Sequence, residues 1–208
     1  MINTIVFDFG GILINLDSQG AFNNIKTLFK VPLEQDIPEE IQIILDQYEM
    51  GAFSEGSFMH RLQRLRPYII TERQLSDAWN SMLLELPKRR LDYLLELRKK
   101  YRILLLSNTN HTHIEWVRKY LKDQYDISNF ETTYFDHVIY SHDIKLSKPG
   151  TAIYKKVAQD YNLNLKESIF IDDSLANIEG AQKAAWQAVR HDPSDEIIEK
   201  LENYLSRF

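Results

Sequence analysis

Four short apolar runs, each cut off by a polar residue, constrain this chain more than any other feature. Thr4-Ile5-Val6-Phe7 stops at Asp8, and Arg102-Ile103-Leu104-Leu105-Leu106 stops at Ser107-Asn108. His137-Val138-Ile139-Tyr140 stops at Ser141, and Ser168-Ile169-Phe170-Ile171 stops at Asp172-Asp173. Unbroken rather than alternating hydrophobicity is the pattern of strands buried on both faces of a parallel sheet. A weaker fifth run is Gln187-Ala188-Val189-Arg190. Helical spacing fills the gaps: Leu91, Leu94, Leu95 and Arg98; Ile153, Val157 and Tyr161; Ile178 to Ala185; and Ile197, Ile198, Leu201, Tyr204 and Leu205. Strands alternating with helices predict right-handed crossovers and an α/β fold with a doubly wound parallel sheet. Such sheets bind ligands at the carboxyl ends of their strands, which is where the Asp, Ser and Asn residues fall.

Residues from about 17 to 87 break this pattern. Ile41, Ile44, Leu45 and Tyr48 share one helical face and Phe58, Leu62 and Leu65 another, punctuated by Pro32, Pro38, Gly51, Gly56, Pro67 and Pro87. The expected organisation is a core of residues 1–16 and 88–208 with an all-helical cap, 17–87, inserted above the strand ends. A chain of 208 residues with 44% hydrophobic content suits one domain carrying an insertion.

Charge and cysteine content narrow the function. With 25 basic and 30 acidic residues and a net charge of -5, neither nucleic acid nor an anionic membrane is the expected partner. A small phosphorylated metabolite stays compatible, because a bound metal dominates the field of a small site. The absence of cysteine excludes disulfides, thiol chemistry and thiolate metal sites, and fits a reducing compartment. No basic segment leads into a long apolar run at the N-terminus, so the expectation is a cytoplasmic protein without a membrane span, and a monomer.

Four pieces carry the chemistry, in this order: Asp8-Phe9-Gly10-Gly11-Ile12-Leu13, Ser107-Asn108-Thr109-Asn110, Lys148-Pro149 and Asp172-Asp173. Each alone reads as an ordinary turn or helix cap. Two adjacent carboxylates ending a buried strand repel each other, however, and a bound cation explains them better. Together the four resemble the motifs of the haloacid dehalogenase superfamily, most of whose members are phosphatases. The resemblance spans nearly the whole chain, including a helical cap after the first motif on a Rossmann-like core. It implies a Mg²⁺-dependent phosphatase in which Asp8 is the nucleophile and forms an aspartyl-phosphate that water hydrolyses. It implies metal ligation by Asp8, the Gly10 carbonyl and Asp173, with Asp172 acting through water. Ser107, the Asn108 backbone, Gly10 and Gly11 would meet the phosphate, and Lys148 would orient Asp8 and offset its charge. The physical need is general: a carboxylate attacking a phosphate dianion meets like-charge repulsion, which a hard cation and a lysine remove.

One departure matters. Phosphatases of this superfamily usually carry an acid–base Asp two residues after the nucleophile, and here that residue is Gly10. Asp17 and His113 are conceivable stand-ins. Asp17 reads more simply as the cap of the first inserted helix, and His113 as packing at a helix start. Asp172-Asp173-Ser174 with Asn177 to Ala181, and Ser107-Asn108-Thr109-Asn110 with His113, resemble the branch containing bacterial alpha-glucose-1-phosphate phosphatases. The phosphatase half of soluble epoxide hydrolases resembles the chain more distantly. The implied substrate is a small phosphate monoester, a sugar phosphate. Competing expectations are a metal-independent 2-haloacid dehalogenase, which would not need Asp172-Asp173, and a phosphate-binding module with weak catalysis, which Gly10 alone supports.

Overall fold

The five runs form β1 (Thr4–Phe7), β2 (Arg102–Ser107), β3 (His137–Tyr140), β4 (Ser168–Asp172) and β5 (Gln187–Arg190). The computed structural model describes residues 1–65 and 69–208, so the expected break at Pro67 lies outside the described residues. The strands are parallel in the order β3-β2-β1-β4-β5. The chain winds outward from β1 to β3, then returns across β1 to add β4 and β5 on the other side. Winding therefore reverses between β1 and β4, and a crevice opens at their carboxyl ends. Phe7 lies in register with Ile171, and the Asp8 N–H donates to Ile171 O at 2.9 Å. That register makes neighbours of Asp8 and Asp172, which are far apart in sequence.

Alternate residues of the sheet feed two apolar layers, as the two-residue period of a strand requires. Val6, Leu104 and Phe170 pack with Ile153, Val157 and Ile178 on one face. Ile5, Phe7, Leu105 and Ile171 pack on the other face with Leu91, Leu94, Val117 and Leu201. Each such fully buried side chain contributes about 1.5–3 kcal/mol.

Among the described residues the helices are α1 (Ser18–Leu28), α2 (Glu39–Glu49), α3 (Glu55–Gln63), α4 (Glu72–Asn80), α5 (Lys88–Leu97) and α6 (His111–Tyr125). They continue with α7 (Phe130–Tyr134), α8 (Ser141–Ile144), α9 (Thr151–Asp160), α10 (Leu175–Lys183) and α11 (Ile197–Leu205). The segment expected to be helical is so: Ile41, Leu45 and Tyr48 of α2 are buried, as are Phe58 and Leu62 of α3. Tyr48 stacks on Phe58 at 4.0 Å, and both join the apolar layer of the core. Asp17 caps α1 by accepting from the Gly20 N–H at 2.8 Å, which is the simpler of its two sequence readings. The chain crosses between core and insertion twice, and the crossings pair. Leu84 N–H donates to Asn15 O at 3.0 Å, Asn15 N–H to Glu85 O at 2.9 Å, and Asp17 N–H to Met82 O at 2.8 Å. No helix among the described residues is long and apolar enough to cross a membrane.

Candidate active site

At the crevice between β1 and β4, one ammonium bridges two carboxylates. Lys148 Nζ lies 2.7 Å from Asp8 Oδ1 and 2.7 Å from Asp172 Oδ2. All three groups are buried, and Asp172 is fully so. Three local devices bring Lys148 there. The Asn108 amide donates to Lys148 O at 2.9 Å and accepts from Lys148 N–H at 3.0 Å, clamping the lysine loop to the end of β2. Gly180 lets α10 press against the same loop, since a Cβ there would sit 2.2 Å from Pro149 O. The ammonium also lies over the Phe170 ring, 5.4 Å from its centroid.

Asp172 is saturated by its surroundings. Oδ1 accepts from the Ser174 N–H at 2.8 Å and from the Asn177 amide at 3.0 Å, while Oδ2 takes Lys148 and, at 3.1 Å, the same amide. Ser174 in turn caps α10, so the carboxylate is fixed by the start of the helix that follows it. Gly11 has a φ of +70°, and a Cβ on it would lie 2.6 Å from Asp173 Oδ2. Only glycine lets the loop after Asp8 both turn left-handed and approach that carboxylate. Buried Arg90 pins the same loop, donating to Leu13 O at 3.0 Å and to Asn15 Oδ1 at 2.9 Å while paired with Glu196 at 3.0 Å.

The electrostatics show an unbalanced site. Burial pushes the Asp8 carboxyl up to about 7, with Lys148 opposing and Asp172 reinforcing the rise. Burial works against the Lys148 ammonium, yet the flanking carboxylates outweigh it and hold the group above its ordinary value. Burial and the neighbouring Asp172 raise Asp173 as well. Asp8, Asp172 and Asp173 offer oxygens within 4.8 Å of one another, with one ammonium against three carboxyls. An all-oxygen anionic set of this kind suits a hard divalent cation.

Gly10, Ser107 and Asn108 line a cavity of about 230 Å³ roofed by residues of the insertion, among them Gln42, Asp46, Glu49 and Trp79. Gly11 and Asp173 face a separate cleft of about 500 Å³, so the predicted residues are divided between two openings of one site. His113 lines the first cavity but is held by its neighbours: Nε2 lies 3.3 Å from Trp79 O, Nδ1 lies 3.2 Å from the Asn110 amide, and the ring stacks on Trp79 at 5.0 Å. Burial lowers it to about 4, so it is neutral. Trp79 is buried and also lines this cavity. Sequence reasoning gave no role to Asn177, Arg90 or Glu49. Asn177 sat within a quoted motif, whereas Arg90 and Glu49 carry no local signal.

The sequence profile described as haloacid dehalogenase-like hydrolase matches residues 2–185. A D-ribitol-5-phosphate phosphatase of Bacteroides thetaiotaomicron is 29% identical over 181 residues, covering 86% of each chain. The crystal structure of a haloacid dehalogenase family enzyme from the same organism, at 32% identity, superposes with a TM-score of 0.87 over 96% of this chain and 98% of that one. A wild-type complex of that enzyme with magnesium and inorganic phosphate gives a TM-score of 0.82 at 32% identity, over 94% and 97% of the two chains.

Proposed function

This chain belongs to the haloacid dehalogenase-like hydrolases, and from that premise we propose that it is a magnesium-dependent phosphatase of a small polyhydroxylated phosphate monoester, a sugar or polyol phosphate. The observation that carries the reading is the Asp8–Lys148–Asp172 bridge at the winding reversal, with Asp173 completing an oxygen donor set. A relative that is a ribitol-phosphate phosphatase and a neighbour that binds magnesium with phosphate support it.

Asp8, Asp173 and the Gly10 carbonyl would hold Mg²⁺, with Asp172 acting through water; once bound, the ion neutralises charge on the nucleophile and the transferring phosphate. The saturated hydrogen bonding of Asp172 fits its indirect place in that set. Lys148 holds Asp8 Oδ1 in place and leaves Oδ2 to attack phosphorus in line, breaking the bond to the alcohol. Ser107 Oγ and the Asn108 N–H donate to the phosphate oxygens, since the Asn108 side chain is already engaged by the lysine loop. Water then attacks the phosphorus of the aspartyl-phosphate and frees Asp8.

The helical segment 17–87 is the lid over this chemistry, and its cavity face sets the substrate class. Ser18, Gln42, Asp46 and Glu49 present hydrogen-bonding groups to a substrate's hydroxyls, set among the apolar side chains of Phe9, Phe22, Trp79 and Met82. The test is kcat/KM with Mg²⁺ across ribitol 5-phosphate, other pentitol and hexose phosphates, glucose 1-phosphate and simple alkyl phosphates. Preference for the polyhydroxylated members is expected; equal turnover of alkyl phosphates would overturn the substrate class. Gly10 favours a second reading, a phosphate-binding module. Phosphate binding without Mg²⁺-dependent turnover of any panel member would put that reading first. The dehalogenase alternative has no use for the Asp172-Asp173 set, and halide release without metal would be needed to revive it.

A further inference from the structure

We propose that Glu49, the last residue of α2, hands a proton to the departing alcohol in place of the side chain that Gly10 lacks; this rests on the phosphatase reading above. The core cannot supply the group at position 10 as it stands. A Cβ on Gly10 would meet Leu16 Cδ1 at 2.6 Å, so any side chain there would require Leu16 to move aside. The acid must come from elsewhere around the 230 Å³ cavity over Gly10, Ser107 and Asn108.

Three residues lining that cavity have side chains of a type used in general acid catalysis: Asp46, Glu49 and His113. His113 has both nitrogens taken, by Trp79 O and the Asn110 amide, and at neutral pH it is the uncharged imidazole, which lacks the acidic imidazolium proton. Asp46 is exposed and accepts from the Gln42 amide at 2.7 Å. The Glu49 carboxyl makes no side-chain hydrogen bond or ion pair recorded among the described residues. It also lines an adjoining cavity of about 280 Å³ with Asn108, Ser147 and Lys148, so it stands at the junction of the spaces beside both phosphate-facing loops. The charged groups sharing its surroundings are Asp46 and Lys148, and the Lys148 ammonium is engaged by Asp8 and Asp172.

The position is also rigid. Ser141 Oγ donates to Glu49 O at 2.6 Å and accepts from the Thr109 N–H at 3.0 Å, tying the end of α2 to the loop that carries Ser107 and Asn108. One residue earlier, the Tyr48 hydroxyl meets Thr112 Oγ1 at 2.6 Å. Burial, reinforced by Asp46, lifts the Glu49 carboxyl to about 7, where it can both give and take a proton at neutral pH. As Asp8 Oδ2 bonds to phosphorus and the alcohol's P–O bond breaks, the Glu49 proton passes to the alcohol oxygen. Water attacking the aspartyl-phosphate then returns a proton to Glu49 as Asp8 departs.

The test compares kcat/KM for ribitol 5-phosphate and para-nitrophenyl phosphate, with Mg²⁺, in wild type, Glu49→Gln, Glu49→Asp and Asp8→Asn. This quantity reports the first phosphoryl transfer, and nitrophenolate leaves without needing a proton. In Glu49→Gln the polyol-to-aryl ratio is expected to fall ~10²-fold or more, and the basic limb of the polyol pH profile to disappear. An unchanged ratio, including equal losses on both substrates, would overturn the proposal while leaving the phosphatase reading intact. Should Glu49→Gln not fold, Glu49→Asp carries the test, because withdrawing the carboxyl by one methylene must lower the same ratio. Wild type no faster than Asp8→Asn on either substrate would remove the phosphatase reading and this proposal with it.

Discussion

Lys148 Nζ stands 2.7 Å from Asp8 Oδ1, with the two side chains only 1% and 11% exposed. The ammonium has a second carboxylate, Asp172 Oδ2, at the same distance. Buried charges of this kind are tolerable only while each has its counter-charge and hydrogen bonds. The site is therefore a structural element as well as a candidate catalytic one, and substitutions in it separate by which of the two they affect.

Lys148→Met removes the shared cation and leaves Asp8 and Asp172 facing each other. Loss of one partner of a buried ion set costs about 3–5 kcal/mol. The carboxyl raised further by this change holds a proton in the folded state that the unfolded chain releases. The loss of stability should therefore grow as pH rises above about 7, where the wild-type Asp8 carboxyl ionises and the variant's does not. Urea unfolding at several pH values measures it, and a pH-independent loss would contradict the account.

Asp172→Asn and Asp173→Asn should behave differently. Asp172 accepts from Lys148, Ser174 and Asn177, so its amide variant loses about 1–3 kcal/mol even without metal. Asp173 opens on the 500 Å³ cleft, and its variant should stay close to wild type in chelator. Magnesium at about 100 times its Kd should raise wild-type stability by about 2.7 kcal/mol, and Asp173→Asn should lose that rise. Thermal melts with and without Mg²⁺ decide it.

Glu49 is raised to about 7 from an ordinary carboxylate value. A raised carboxyl penalises the folded state once pH exceeds the unfolded value, and the full penalty is reached above the folded one. Glu49→Gln should then be more stable than wild type at pH 8 by about 1 kcal/mol, after allowing for solvent reaching the group through the cavities. The difference should vanish below about pH 4.5, the ordinary carboxylate value. A stabilisation that persists there would contradict the raised carboxyl.

His113→Gln should lower stability by about 1–3 kcal/mol, because it disturbs a buried link between α4 and α6. The shape of the pH–rate profile between about 5 and 9 should not change, since the imidazole is already neutral throughout that range. Loss of one limb of the profile would instead make His113 a proton-transfer group.

The strands were legible because a strand buried on both faces leaves an unbroken apolar run, and Asp8 and Asp172 were visible as the residues that end two such runs. What a linear pattern does not contain is the order of the strands. Only the pairing of β1 with β4 explains why these two carboxylates meet around one lysine. Of α6 only the start at His113 was legible, although Ile114, Val117 and Leu121 follow helical spacing, because its first turn is polar and its N-cap, Asn110, belongs to a run that also reads as a binding loop. Glu49 had no signal at all. It ends an amphipathic helix as one more acidic residue, and its meaning comes from the cavity above Gly10.

The central claim is tested most directly by release of inorganic phosphate from para-nitrophenyl phosphate, measured for wild type with Mg²⁺, for wild type with chelator, and for Asp8→Asn with Mg²⁺. The account predicts turnover in the first alone. Equal release in all three, or release that survives loss of the Asp8 carboxylate, would contradict it.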